Sequence, residues 1–139
     1  MREDARTVLL VEDEPLVLRS TADLLSHEGY RVLEAASFDE ALECLGTCPD
    51  LAAMVTDIGI SGEQDGIALT HAVRERCPQV RIVLVSGRTR PSSDQYPADA
   101  IFFTKPYAPS ALLTVVRQSI DGELEPRASA MRMDGVGVL

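Results

Sequence analysis

Thr7 to Val11, Arg31 to Ala35, Leu51 to Thr56, Arg81 to Val85 and Ala100 to Thr104 are short, largely apolar runs, and every connection between them except the fourth carries helical periodicity. Strand and helix in alternation, with short connections, predict an α/β fold: a doubly wound parallel sheet with right-handed crossovers and helices on both faces. The carboxyl ends of parallel strands share one edge, and ligands bind there. Four of the runs deliver polar residues to that edge: Glu12 and Asp13, then Asp57, Ser86 and Lys105. Three carboxylates, a hydroxyl and an ammonium form a set able to hold a divalent cation and to receive a phosphoryl group.

The connections read as follows. Pro15 suits the opening turn of a first helix, Leu18, Ala22 and Leu25 fall on one face, and Gly29 supplies the stop, which predicts a helix from about Pro15 to His27. Ser37 followed by Glu40 is a capping-box pattern leading into Phe38, Ala41, Leu42 and Leu45, with Gly46 as the expected end. Leu51 to Thr56 has the apolar character of a strand covered on both faces. A glycine-rich loop is expected from Gly59 to Gly66, then a helix through Leu69, Ala72 and Val73 that stops before Pro78. Between Ser86 and Ala100 there are two prolines, several turn formers and no apolar stripe, so a loop or at most one helical turn is expected in place of a fourth helix. A last helix from about Pro109 would turn Leu113, Val116 and Ile120 inward, and a flexible tail is expected from 122 to 139. One domain, residues 1 to 121, is therefore expected before that tail.

Composition narrows the function. The 139 residues carry a net charge of -9, a field that repels nucleic acid phosphates and anionic lipid headgroups. No apolar stretch approaches the ~20 residues that span a bilayer. Cys44, Cys48 and Cys77 lack a second pair at metal-binding spacing and read as small core thiols. The opening Met-Arg-Glu-Asp has no apolar signal region, so a cytoplasmic location is expected. His27 and His71 are expected at solvated helix positions.

Thr7 to Pro15, Val55-Thr56-Asp57, Ser86-Gly87 and Lys105-Pro106, in this order at strand ends, resemble a response-regulator receiver domain over about Arg6 to Ile120. The resemblance implies a five-stranded flavodoxin-like sheet of order 2-1-3-4-5. It also implies that Asp57 is the phosphoacceptor, that Lys105 pairs with it and later with phosphoryl oxygens, and that Ser86 is the hydroxyl switch, coupled to an aromatic residue at Phe102. It further implies Mg²⁺ held by Asp13 and Asp57 directly, by Glu12 through water and by the backbone carbonyl of Gly59.

Each residue also has a plainer reading. Asp57 alone could begin a turn. Glu12, Asp13 and Glu14 could cap the first helix, Glu14 most of all. Phe102 and Phe103 could be core residues, the preferred reading for Phe103. The loop after Asp57 departs from the receiver pattern in lacking a proline, and the segment after Ser86 departs in its length.

The function these expectations define is a stand-alone, single-domain response regulator of a two-component phosphorelay. It would accept phosphate from a histidine kinase or phosphotransfer protein, without separate substrate turnover, and either relay it or switch the binding of a downstream partner, as a monomer or weak dimer. The alternatives are a phosphorylation-independent interaction module and a receiver fragment of a hybrid histidine kinase. A hydrolase of the haloacid dehalogenase type needs a second Asp two residues beyond the nucleophile, where Gly59 stands.

Overall fold

The computed structural model describes residues 6–47, 50–58, 63–86, 97, 99–105 and 108–122. In chain order the described elements are β1 (Thr7–Val11), α1 (Pro15–His27), β2 (Arg31–Ala35), α2 (Phe38–Thr47), β3 (Leu51–Asp57), α3 (Glu63–Arg76), β4 (Arg81–Ser86), β5 (Ile101–Thr104) and α4 (Pro109–Ile120). The strands form one parallel sheet in the order β2-β1-β3-β4-β5, as expected. Apart from residues 97 and 99, the loop expected between Ser86 and Ala100 falls outside the described residues, as do Gly59, Cys48 and the tail from 123 onward.

Side-chain alternation along the central strands sorts the core into two layers. Leu9, Val11, Met54, Ile82, Leu84 and Phe102 face α2 and α3, where Ala41, Leu45, Ile67, Leu69 and Val73 meet them. Val8, Leu10, Val55, Val83, Val85 and Phe103 face α1 and α4, where Ala22, Leu25, Leu112, Val115 and Val116 close the other side. Each such Val, Leu, Ile, Met or Phe side chain taken fully out of water contributes about 1.5–3 kcal/mol. Because β1 and β4 are covered on both faces, they read in sequence as continuous apolar runs.

The helix boundaries have local causes. Gly29, at φ 98°, adopts the left-handed conformation that ends α1, and Tyr30 N–H donates back to the Leu25 carbonyl at 3.3 Å. At α2, Glu40 N–H donates to Ser37 Oγ at 3.2 Å while the Glu40 carboxylate accepts from Ala36 N–H at 2.9 Å, a capping box reaching one residue further back than usual. The helix then runs through Gly46 to Thr47, one residue past the expected stop.

Two expectations need correction. First, α3 begins at Glu63, so Gly66 lies inside a helix and not at the end of a loop. A Cβ at Gly66 would collide with the backbone carbonyl of Ile58, so this glycine lets the first turns of α3 lie directly against the chain that leaves β3. Second, α4 buries Leu112, Val115, Val116 and Ser119, while Leu113 and Ile120 are only partly covered. Two overlapping apolar stripes share Val116 on this helix; the deeper one runs through Leu112, Val115 and Ser119, and Leu113 and Ile120 pack at its margin.

Cys77 is buried and Cys44 half-buried, both packed in the α2/α3 layer, and His27 and His71 are exposed. Among the described residues no helix is long and apolar enough to cross a membrane.

Candidate functional site

Sheet register assembles the carboxyl edge. Val11 pairs with Thr56, so the next residues, Glu12 and Asp57, leave adjacent strands side by side. Asp57 in turn pairs with Val85, and Ser86 with Thr104, one residue before Lys105. The ladder extends past the strand ends: Ile58 N–H donates to the Val85 carbonyl at 2.8 Å and Lys105 N–H to the Ser86 carbonyl at 2.9 Å. These bonds fix the direction in which the chain leaves β3 and β5.

Lys105 bridges two carboxylates. Its Nζ lies 2.7 Å from Asp57 Oδ2 and 3.5 Å from Glu12 Oε1. The Glu12 and Asp57 side chains are 8% and 18% exposed and the lysine 31%, so the charges are partly withdrawn from water and attract more strongly than a surface pair. Burial pushes the Glu12 carboxyl above its ordinary range, and the Asp57 charge adds to that. The Glu14 N–H and the Lys105 ammonium act in the opposite direction and do not cancel it.

Of the residues singled out in the sequence, Glu12, Asp57 and Lys105 are in direct contact. Ser86 is buried next to them in the register, and Asp13 is exposed at the rim. Phe102 is buried in the α2/α3 layer beneath the edge, and Phe103 is buried in the opposite layer. Gly59 lies outside the described residues. Glu14 is the N-cap residue of α1 but makes no side-chain cap. Instead, Glu12 Oε2 accepts from the Glu14 N–H at 3.1 Å, so the buried carboxylate does the capping assigned to its neighbour. Spacing alone does not separate two glutamates of one acidic run, and the kink of the chain after β1 decides which turns inward.

Gly66 was not singled out as part of this region. A glycine inside a helical pattern, immediately after Asp65, is the signal that marks it.

Among the described residues no three His, Cys, Asp or Glu side chains gather in an arrangement that would hold a metal by themselves. The donors that do converge are two carboxylates sharing one cation, the Lys105 ammonium. An all-oxygen set with one buried and one partly exposed carboxylate suits a hard cation that keeps several waters, so the residues present fit Mg²⁺.

The fold and this edge define a doubly wound α/β domain with paired carboxylates and a lysine at the strand ends. Residues 8–117 match the family model described as response regulator receiver domain, and the chain belongs to that family, the receiver module of two-component signalling. The sensor kinase CckA of Brucella abortus is 35% identical over 118 residues, covering 83% of this chain and 12% of that protein. The transcriptional activator protein ExaE of Pseudomonas putida is 34% identical over 122 residues, covering 83% of this chain and 55% of that protein. The chain thus spans well under two thirds of either relative. Among solved structures, a response regulator receiver protein from Sinorhizobium medicae is 29% identical with a TM-score of 0.78, covering 86% of this chain and 98% of that one. A CheY-like receiver domain protein from Methanospirillum hungatei is 26% identical with a TM-score of 0.73, covering 86% and 96%.

Proposed function

We propose that this chain is a phosphoryl-accepting response regulator in which Asp57 takes the phosphoryl group from a histidine kinase or a phosphotransfer protein. The observation that carries the reading is the 2.7 Å contact between Lys105 Nζ and Asp57 Oδ2, a cation held against the carboxylate that would react.

In that reaction an Asp57 carboxylate oxygen attacks phosphorus in line. The new O–P bond forms as the P–N bond to the donor imidazole breaks, and the imidazole takes up a proton. Lys105 orients the Asp57 carboxylate beforehand and then follows the charge onto the phosphoryl oxygens. Ser86, buried at the end of the adjacent strand, donates its hydroxyl to a phosphoryl oxygen once the group is in place. Phe102 lies on the same face of the sheet and adjusts its packing to that movement. Mg²⁺, when bound, neutralises charge on the transferring group. Asp13 and Asp57 would hold it directly, Glu12 through water, and Gly59 through its backbone carbonyl.

On this reading the receiver unit runs through residue 121, works in the cytoplasm, has no separate substrate turnover and acts by switching a protein partner. A second reading is favoured by the 35% identity to a sensor kinase many times longer than this chain: the same chemistry would then serve as the receiver part of a hybrid kinase.

Incubation with acetyl phosphate and Mg²⁺, read by intact mass, tests the proposal. One phosphate should be gained by the wild type and none by Asp57→Asn or in excess EDTA. An unmodified wild type, or label persisting in Asp57→Asn, would overturn it.

A further inference from the structure

Ser86 and Thr104 are register partners on adjacent parallel strands. Paired residues in a sheet project to the same face, and the packing says which one. Leu84 and Phe102, two residues before each, both lie in the layer facing α2 and α3, whereas Val85 and Phe103 lie in the other. Ser86 and Thr104 therefore stand side by side on the α2/α3 face, one pleat above Phe102. The bond from Lys105 N–H to the Ser86 carbonyl, 2.9 Å long, holds the pairing at its last rung. Ser86 is 4% exposed and Thr104 half-buried, so the two residues stand as neighbours where water competes weakly for their hydroxyls.

We propose that Thr104 is a positioning residue for Ser86: its hydroxyl holds the serine side chain in the resting orientation and so sets how readily the switch engages a phosphoryl group on Asp57. The inference rests on the function proposed above and adds a residue to it. Thr104 does not touch the reacting atoms; it biases the rotamer of the residue that does. Removing its hydroxyl raises the fraction of molecules with Ser86 ready to turn toward Asp57, and the apparent reactivity scales with that fraction.

The test compares initial rates of acetyl phosphate labelling, with Mg²⁺, for wild type, Thr104→Val and Thr104→Ser, each also in a Ser86→Ala background. Valine keeps the branched shape and strand preference of threonine while deleting the hydroxyl. The expected result is labelling about fivefold faster in Thr104→Val, the shift one hydroxyl hydrogen bond carries. Thr104→Ser should restore the wild-type rate, and Thr104→Val should have no effect once Ser86 is alanine. Labelling of Thr104→Val at the wild-type rate, or an effect that survives in Ser86→Ala, overturns the inference and leaves Asp57 chemistry standing. A wild type that takes no phosphate on Asp57 overturns both.

Discussion

Lys105 and Asp57, 48 positions apart in the chain, make a 2.7 Å ion pair at the carboxyl edge of the sheet, and the same ammonium reaches Glu12 at 3.5 Å. One lysine therefore keeps two neighbouring carboxylates compatible. Lys105→Met should leave them facing each other and destabilise the metal-free protein by about 1–2 kcal/mol at neutral pH, the pair being only partly shielded from solvent. Urea denaturation checks this. The loss should shrink in the Lys105→Met, Asp57→Asn double variant, and additive losses would show that repulsion is not the cause.

Glu12 predicts a pH dependence of definite sign. Its folded-state pKa lies above the ordinary value, chiefly through burial. The folded state binds that proton more readily than the unfolded chain, so the stability it contributes is complete below the ordinary carboxylate range. That contribution is lost as pH rises through the folded value. Glu12→Gln keeps an uncharged acceptor for the Glu14 N–H at every pH. In metal-free buffer the variant should melt a few degrees above wild type at neutral pH and converge with it in acid, each kcal/mol being worth roughly 2–4 °C in a chain of this size. Melting curves that stay parallel across the range would refute the assignment.

Gly66→Ala inverts the usual rule for helices. Alanine inside a helix normally stabilises by about 0.5–1 kcal/mol over glycine. Here the added Cβ meets the Ile58 backbone, so a net loss of about 1–3 kcal/mol is expected. Because Ile58 follows Asp57 directly, acetyl phosphate labelling should slow as well. A stabilised Gly66→Ala would mean that α3 does not pack this close.

Arg74 ties the end of α3 to the start of β5. Its guanidinium pairs with Asp99, with Nη2 at 2.8 Å from Oδ2 and Nε at 3.2 Å from Oδ1, and Nη2 also donates to the Val80 carbonyl at 2.8 Å. A further donation to the Pro78 carbonyl fills the fork. Arg74→Lys should lose about 2 kcal/mol, because a single ammonium cannot serve these partners in their fixed directions. Urea midpoints for Arg74→Lys and Arg74→Ala should be similar, and a lysine variant equal to wild type would refute the fork.

Much of the architecture was legible before any coordinates. α1 and β2 begin and end where Pro15, Gly29 and the apolar run after Tyr30 say they should. β1 also matches its expected bounds; β3 and β4 run one residue further, to Asp57 and Ser86, because ladder bonds continue one step beyond the apolar run, and β5 begins one residue later, at Ile101. The α4 face is broader than expected: Leu113, Val116 and Ile120 pack on the core, and contact with the sheet centres the buried face on Leu112, Val115, Val116 and Ser119.

Glu12, Asp57, Ser86 and Lys105 were identifiable as neighbours at one sheet edge because each closes or immediately follows an apolar strand, and parallel strands must put those ends on one edge. That inference depends on local pattern and the handedness of crossovers, both properties of the chain alone. Which glutamate turns inward to cap α1, how close α3 comes to Ile58, and that Ser86 is register-paired with Thr104 depend on register and on the distance between packed layers. Those quantities come from the summed fit of side chains distant in sequence. They were settled only when the sheet closed around its two cores.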